Sequence, residues 1–412
     1  ANGAVAVPTF NEQTSGYYGE GDHNYSRLDP SDDVLADVHV GRISVQTTTQ
    51  LQTAVTKILD YERTPDMSQT NWFTTAGLTG DPASSGYSTI WVNQVAKEHL
   101  LDLGYTRIDT IWGGNYLNAM MATINQGETF FTYRGYWNMS GMSSSHINSL
   151  SNGQQLPFAC ILTCDTGSFW DDSNCRSEAF LRAPNGGGVA AVGTATIGTH
   201  TRYNNCMFLG INNGLLNSDE HRTGPALTRG KLNLYNNYWN NEWQNVWVWS
   251  TWNNLMGDPA TEIFTGVPAL IDVDYPVQVA VGANALPISV TLGGSPVEGA
   301  RVAVYQDGNV RSHAVTDASG EVVLDIAGAA SGDVLVTVTG TNLHPHLGAT
   351  AVGSVARSLD FNALAIDDAP GGNGDDLANP GETLDLDVQL INHGTNSVTS
   401  ATGALSTLSL IH

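Results

Sequence analysis

A mainly parallel α/β sheet with helices on both faces, then an immunoglobulin-like β-sandwich and the start of a further β-domain, is the architecture this sequence predicts. Three observations carry it. Apolar strand-like runs alternate with helix-period segments between positions 72 and 194. The runs at 158–163 and 189–192 are almost unbroken apolar stretches, as expected of central strands buried on both faces. Beyond Val267-Pro268 the pattern changes to short alternating segments separated by Gly, Asp and Ser, as in a small sandwich.

Taken in order, residues 1–45 are loop-rich and end in a short apolar strand at 37–45. A helix follows at 47–61, with Leu51, Val55, Ile58 and Leu59 spaced as one buried face. Strands are expected at 73–78, 107–112, 129–133, 158–163 and 188–194. Helices are expected between them at 90–103, 116–125, 146–150 and 177–183, with Gly104 as a left-handed cap. Sandwich strands are expected at 277–280, 288–291, 301–305, 321–324 and 334–338. These readings divide the chain into a partial α/β subdomain at 1–70, a main α/β subdomain at 71–268, a sandwich at 269–358 and the truncated start of another β-domain at 359–412. Both ends read as cut, with any secretion signal removed or upstream.

The 412 residues carry 40 acidic against 16 basic side chains, a formal net charge of −24. A field of that sign repels phosphate backbones and argues against a nucleic-acid partner. No window holds the roughly 18 consecutive apolar residues of a membrane span. A charged fraction of only 14%, with abundant Gly, Ser, Thr and Asn, fits a bacterial protein outside the cell. Association with the cell surface through the C-terminal β-domains is a further expectation. Acidic loops offer hard oxygen ligands for structural calcium, through Asp29 and Asp33 near the start and Asp367 and Asp375 near the end. Solvated acidic turns are the competing reading.

Ligand and catalytic groups of an open α/β sheet gather at the carboxyl ends of its strands. Cys164 ends the run 158–163, and a small-residue turn containing Asp165 and Gly167 follows, whose amides could hold an oxyanion. A buried structural thiol is the alternative. Arg134-Gly135-Tyr136-Trp137 ends the preceding strand, and Thr199-His200 follows the next. His200 is a candidate base, because imidazole accepts a thiol proton near neutral pH. His146 reads as a helix-capping residue and Asp81 as a turn former. The aromatic tract at 235–252 could wall a substrate cleft, with Trp249 and Trp137 as contact residues, although core packing explains most of it. All four cysteines, Cys160, Cys164, Cys175 and Cys206, fall between positions 160 and 206, which leaves room for a local Cys175–Cys206 disulfide.

Several of these segments, taken in sequence order, resemble the gingipain-type cysteine peptidases. Asp37-Val38-His39-Val40-Gly41-Arg42-Ile43-Ser44 and the helix after it look like that family's Gly-Arg segment. Thr163-Cys164-Asp165-Thr166-Gly167-Ser168-Phe169 resembles the segment holding its nucleophile, and Gly257-Asp258-Pro259 its closing motif. The resemblance implies a caspase-like domain that cleaves proteins or peptides with a Cys–His dyad and no cofactor in the chemistry. The departure is at Gly135-Tyr136-Trp137, where the family has Gly-His-Gly. A tyrosine, with a reference pKa of about 10, does not replace imidazole as a base at neutral pH. His200 would then supply the base, or the fold would serve as a non-catalytic binding, adhesion or assembly module.

Overall fold

The computed structural model describes residues 7–29, 33–170, 174–218 and 220–401. The chain divides into two compact units, Ala1–Pro268 and Ala269–His412. That division falls at the change of pattern after Val267-Pro268. Residues 1–70, expected as a subdomain of their own, belong to the first unit.

In the first unit β1 (Phe10–Thr14) and β2 (Tyr17–Gly21) form an antiparallel hairpin. Then come α1 (Thr48–Arg63), β3 (Thr75–Gly80), α2 (Ser88–Asp102), β4 (Arg107–Ile111), α3 (Tyr116–Asn125), β5 (Phe130–Arg134), α4 (Ser144–Asn148) and β6 (Phe158–Ile161). The unit closes with α5 (Arg176–Arg182), β7 (Ala190–Thr194), α6 (Thr201–Leu216), α7 (Thr223–Trp252) and β8 (Asn253–Met256). The six-stranded sheet has the order β4-β3-β5-β6-β7-β8, parallel except for the final β7–β8 pair. The strand expected at 37–45 is reduced to a single bridge between Arg42 and Met256, closed by Arg42 N–H to Leu255 O at 2.9 Å and Gly257 N–H to Arg42 O at 3.0 Å.

Period-two alternation explains how the sheet serves two cores. Phe158, Cys160 and Leu162 face the core shared with α1, α2, α6 and α7. Ala159 and Ile161 face the other, shared with α3, α4 and α5. Each large aromatic buried there contributes about 1.5–3 kcal/mol of transfer free energy.

Helix α1 departs from its expected orientation. Its buried face is Ala54, Lys57, Ile58 and Tyr61, while Leu51, Val55 and Leu59 are exposed. Lys57 helps to fix that face, since its ammonium donates to the carbonyls of Phe180, Leu181 and Gly186 at 2.8, 3.1 and 2.7 Å. Those carbonyls lie at the end of α5 and just beyond it, where a helix leaves its acceptors unpaired. Burial pushes the ammonium down to about 7. Ala54, Ile58 and the Tyr61 ring, packed on Trp72 and Phe264, are buried on the same face as this polar anchor.

In the second unit, strands Asp272–Asp274, Ala285–Leu292, Ser295–Pro296 and Glu321–Asp325 form one sheet. Gln278–Ala280, His346–Gly353, Gly332–Thr339, Arg301–Gln306 and Asn309–Val315 form the other. Ile288, Val290 and Leu324 of the first meet Val302, Val304, Val334 and Val336 of the second in one core, as a sandwich requires. Leu359–Gly371 and Thr383–Asn392 make a further antiparallel hairpin.

Lys57→Met is expected to lower stability by roughly 2 kcal/mol or more, because it leaves the Leu181 and Gly186 carbonyls without their donor. Thermal unfolding of the variant against the parent chain checks this.

Candidate active site

Cys164 is the first half-exposed residue after a run of buried ones from Phe158 to Thr163. The turn beneath it is fastened to β7. Asp165 N–H donates to Thr196 O at 2.8 Å and Gly167 N–H to Thr194 O at 3.0 Å. Thr166 Oγ1 donates to Ile161 O at 2.7 Å and accepts the Thr194 amide at 3.0 Å. Gly167 and Gly193 meet at this junction, where a Cβ on Gly193 would come within 2.9 Å of the Thr166 carbonyl. Asp165 (φ 62°) and Thr196 (φ 127°) lie on either side of it in the left-handed region. Such a conformation costs about 1–3 kcal/mol per residue and persists only where its surroundings impose it.

This geometry corrects one expectation. The amides of Asp165 and Gly167 are spent on the carbonyls of Thr196 and Thr194, so neither is available to a reacting oxygen. The Cys164 amide has no acceptor among the described residues.

The sulfur has one hydrogen-bond partner among the described residues, Thr199 Oγ1 at 3.0 Å. Asn204 Nδ2 donates to that same oxygen at 3.1 Å, which leaves the hydroxyl proton free to point at sulfur. Asn204 is held in turn by Trp249 Nε1 at 3.0 Å. Trp249, expected in a substrate cleft, is instead buried against Tyr203 and Trp252, at ring separations of 4.6 and 4.9 Å. It supports the site from behind.

His200 follows Thr199 and caps α6. Its Nδ1 accepts the Arg202 amide at 3.3 Å, and its exposed ring stands edge-on to Tyr203 at 5.6 Å. An Nδ1 that accepts leaves the neutral ring's proton on Nε2, so its basic nitrogen is occupied by the cap. His146 caps α4 through a reciprocal box with Ser143, as its position suggested. Asp81 accepts from Ser140 Oγ at 2.6 Å and from the amide of Ala83 at 2.9 Å.

Arg134 went unremarked in the sequence as a site residue, although an arginine ending the apolar strand β5 is a legible signal. Its side chain is 1% exposed. It donates to Leu162 O, to Asn205 Oδ1 at 2.9 and 2.7 Å, and to Thr201 O at 3.3 Å. All are neutral acceptors. Burial lowers its pKa to about 10, while the nearby Cys160, Tyr133 and Cys164 act in the opposite direction.

The remaining thiols are of a different kind. Burial pushes Cys160 up to about 12, Cys206 up to about 11 and Cys175 well above the ordinary value. All four cysteines are free, so the Cys175–Cys206 bridge is not formed.

Loops after three adjacent strands carry exposed apolar side chains: Tyr136 and Trp137 after β5, Trp170 after β6 and Ile197 after β7. Gly135 is required by close approach, because a Cβ there would come 2.6 Å from the Tyr133 hydroxyl. The acidic loops hold their own turns. Asp33 accepts the Leu35 amide at 2.8 Å, Asp367 the Ala369 amide at 3.0 Å and Asp375 the Leu377 amide at 2.9 Å. Asp29 lies at an exposed bend. Among the described residues no three His, Cys, Asp or Glu side chains converge to hold a metal ion. No helix among them is long and apolar enough to cross a membrane.

The model of peptidase family C25 matches residues 2–264. Gingipain R1 of Porphyromonas gingivalis is 25% identical over 324 residues, which take in 74% of this chain and 32% of that protein. Gingipain R2 of the same organism is 24% identical over 324 residues and 43% of its length is covered. The chain thus spans less than half the length of these relatives. Among solved structures, the Arg-specific cysteine proteinase gingipain R superposes with a TM-score of 0.73 at 22% identity, covering 83% of this chain and 81% of that one. The complex of P. gingivalis RgpB pro- and mature domains gives 0.72 at 22% identity, covering 81% of each chain. Identity this low makes the structural likeness one of fold, and the family follows from the match over 2–264: this chain belongs to peptidase family C25.

Proposed function

We propose that the chain is a cysteine endopeptidase acting outside the cell on protein or peptide substrates, with Cys164 as nucleophile. The observation that carries the reading is a half-exposed sulfur at the tip of a central parallel strand with a hydroxyl donor at 3.0 Å. In this reading the sulfur attacks the scissile carbonyl carbon and its proton passes to His200. The imidazolium then protonates the departing amine, and water hydrolyses the thioester to free the second product. The Cys164 amide donates to the developing oxyanion. Tyr136, Trp137 and Trp170 form the apolar rim against which a peptide lies. His200 takes up the base role by releasing the Arg202 amide, whose 3.3 Å separation is at the long end for such a bond.

The second reading is a gingipain-like module that binds or assembles without turnover. Tyr136 in the place of the family histidine favours it, as does a sulfur whose partner is a hydroxyl rather than an imidazole. Two measurements separate the readings.

Iodoacetamide at neutral pH is expected to modify Cys164 first, since the other thiols are buried and raised in pKa. Uniform labelling of the four, found by peptide mass mapping, contradicts an activated thiol. Casein cleavage is expected to vanish in Cys164→Ala and to fall by about 10²-fold or more in His200→Ala. Cleavage that persists in Cys164→Ala removes the peptidase assignment from this site, and parent protein inert toward casein and a mixed peptide library supports the binding module. Thr199→Val is expected to lower kcat about tenfold or more with KM little changed, through loss of a hydrogen bond to the reacting sulfur.

A further inference from the structure

A groove of about 940 Å³ opens between α2, α6 and α7. It starts at His200, next to the residue that touches the catalytic sulfur. Its walls carry His99, His200, Arg202 and Arg229 together with five asparagines, and no carboxylate is among its lining residues. In a chain with 40 acidic and only 16 basic side chains, a concave surface of that composition stands apart from its surroundings. Arg202 is paired with Glu242 at 2.6 Å. Arg229 is exposed and has no hydrogen-bond or ion-pair partner among the described residues.

A second observation lies beneath the groove. Asn205, part of its lining, accepts from Arg134 at Oδ1 and donates from Nδ2 to Ser88 Oγ at 3.0 Å. Among the described residues the buried guanidinium behind that floor has only neutral hydrogen-bond acceptors. Buried cations are ordinarily paired with an acid. Here the missing negative charge has a place to come from.

The geometry points to this groove as the subsite that receives an acidic side chain, aspartate or glutamate, of the peptide cut at Cys164. The inference rests on the peptidase reading above and adds to it a substrate class. Arg229 is the direct contact, the asparagine amides supply further donors, and Arg134 acts through Asn205 as a positioning residue. A substrate lysine or arginine would meet cations on the groove walls and another beneath its floor.

The test uses the full chain carrying Cys164→Ala, which cannot turn substrate over. Fluorescence anisotropy follows its binding of three dye-labelled Ala/Ser nonapeptides bearing Glu, Gln or Lys at the same two positions. The Glu peptide is expected to bind at least tenfold more tightly than the Gln peptide, with the Lys peptide weakest and the differences shrinking as salt rises. Adding Arg229→Glu is expected to erase the advantage of the Glu peptide, with a circular dichroism melt confirming that this exposed position leaves the fold intact. Equal binding of the three peptides, or a preference that survives Arg229→Glu, overturns the inference. Cleavage of the same peptides by the parent chain keeps the two claims apart. Acid-selective binding without cleavage defeats the peptidase reading and leaves the groove's selectivity standing. Cleavage with no preference for the Glu peptide defeats the groove.

Discussion

The Cys164 turn is fastened to the end of the neighbouring strand, and the rest of the site depends on that attachment. Two amides of the turn donate to the carbonyls of Thr194 and Thr196, and the Thr166 hydroxyl closes the gap from the other side. The turn can come this close because Gly167 and Gly193 lack side chains where they meet. The same bonds account for the left-handed backbone at Asp165 and Thr196, which nothing local would favour. They raise the thiol above an otherwise buried strand and set Thr199 against it. They also use up the amides that a looser turn would have offered to a substrate.

Two kinds of support stand behind this edge. The relay from Cys164 through Thr199 and Asn204 to Trp249 runs back into the aromatic core, so the hydroxyl at the sulfur is placed by packing as much as by hydrogen bonding. Arg134 is the other. It joins the ends of β5 and β6 to α6 with a charge that no acid among the described residues answers. In the proposed peptidase, a positive charge buried near Cys164 and behind a polar groove would link the chemistry to the kind of substrate the site admits.

The sheet was legible because its strands are apolar on both faces and its helices keep their period. Helix α3 falls where expected, at Tyr116–Asn125. What escaped has physical causes. Helices α6 and α7 are rich in Asn, Gly and aromatic residues, poor helix formers taken singly. Their glycines serve contact, since a Cβ on Gly210 would come 2.7 Å from the Gly230 Cα. The inward face of α1 was misread because it sets a buried lysine among Ala54, Ile58 and Tyr61, a face the leucine spacing did not indicate. Cys164, Thr199 and His200 could be placed at adjacent strand ends from pattern alone. Which of them touch could not, because a one-residue difference separates a hydroxyl on the sulfur from an imidazole capping a helix.

The central claim is that the Cys164 sulfur forms a covalent bond with the carbonyl carbon of the substrate. Rapid acid quench of the parent chain with an activated peptide ester, followed by peptide mass mapping, tests it most directly. The account predicts an acyl adduct on the peptide containing Cys164 and on no other cysteine. Ester turnover with that thiol unmodified, or an adduct on a different residue, would contradict it.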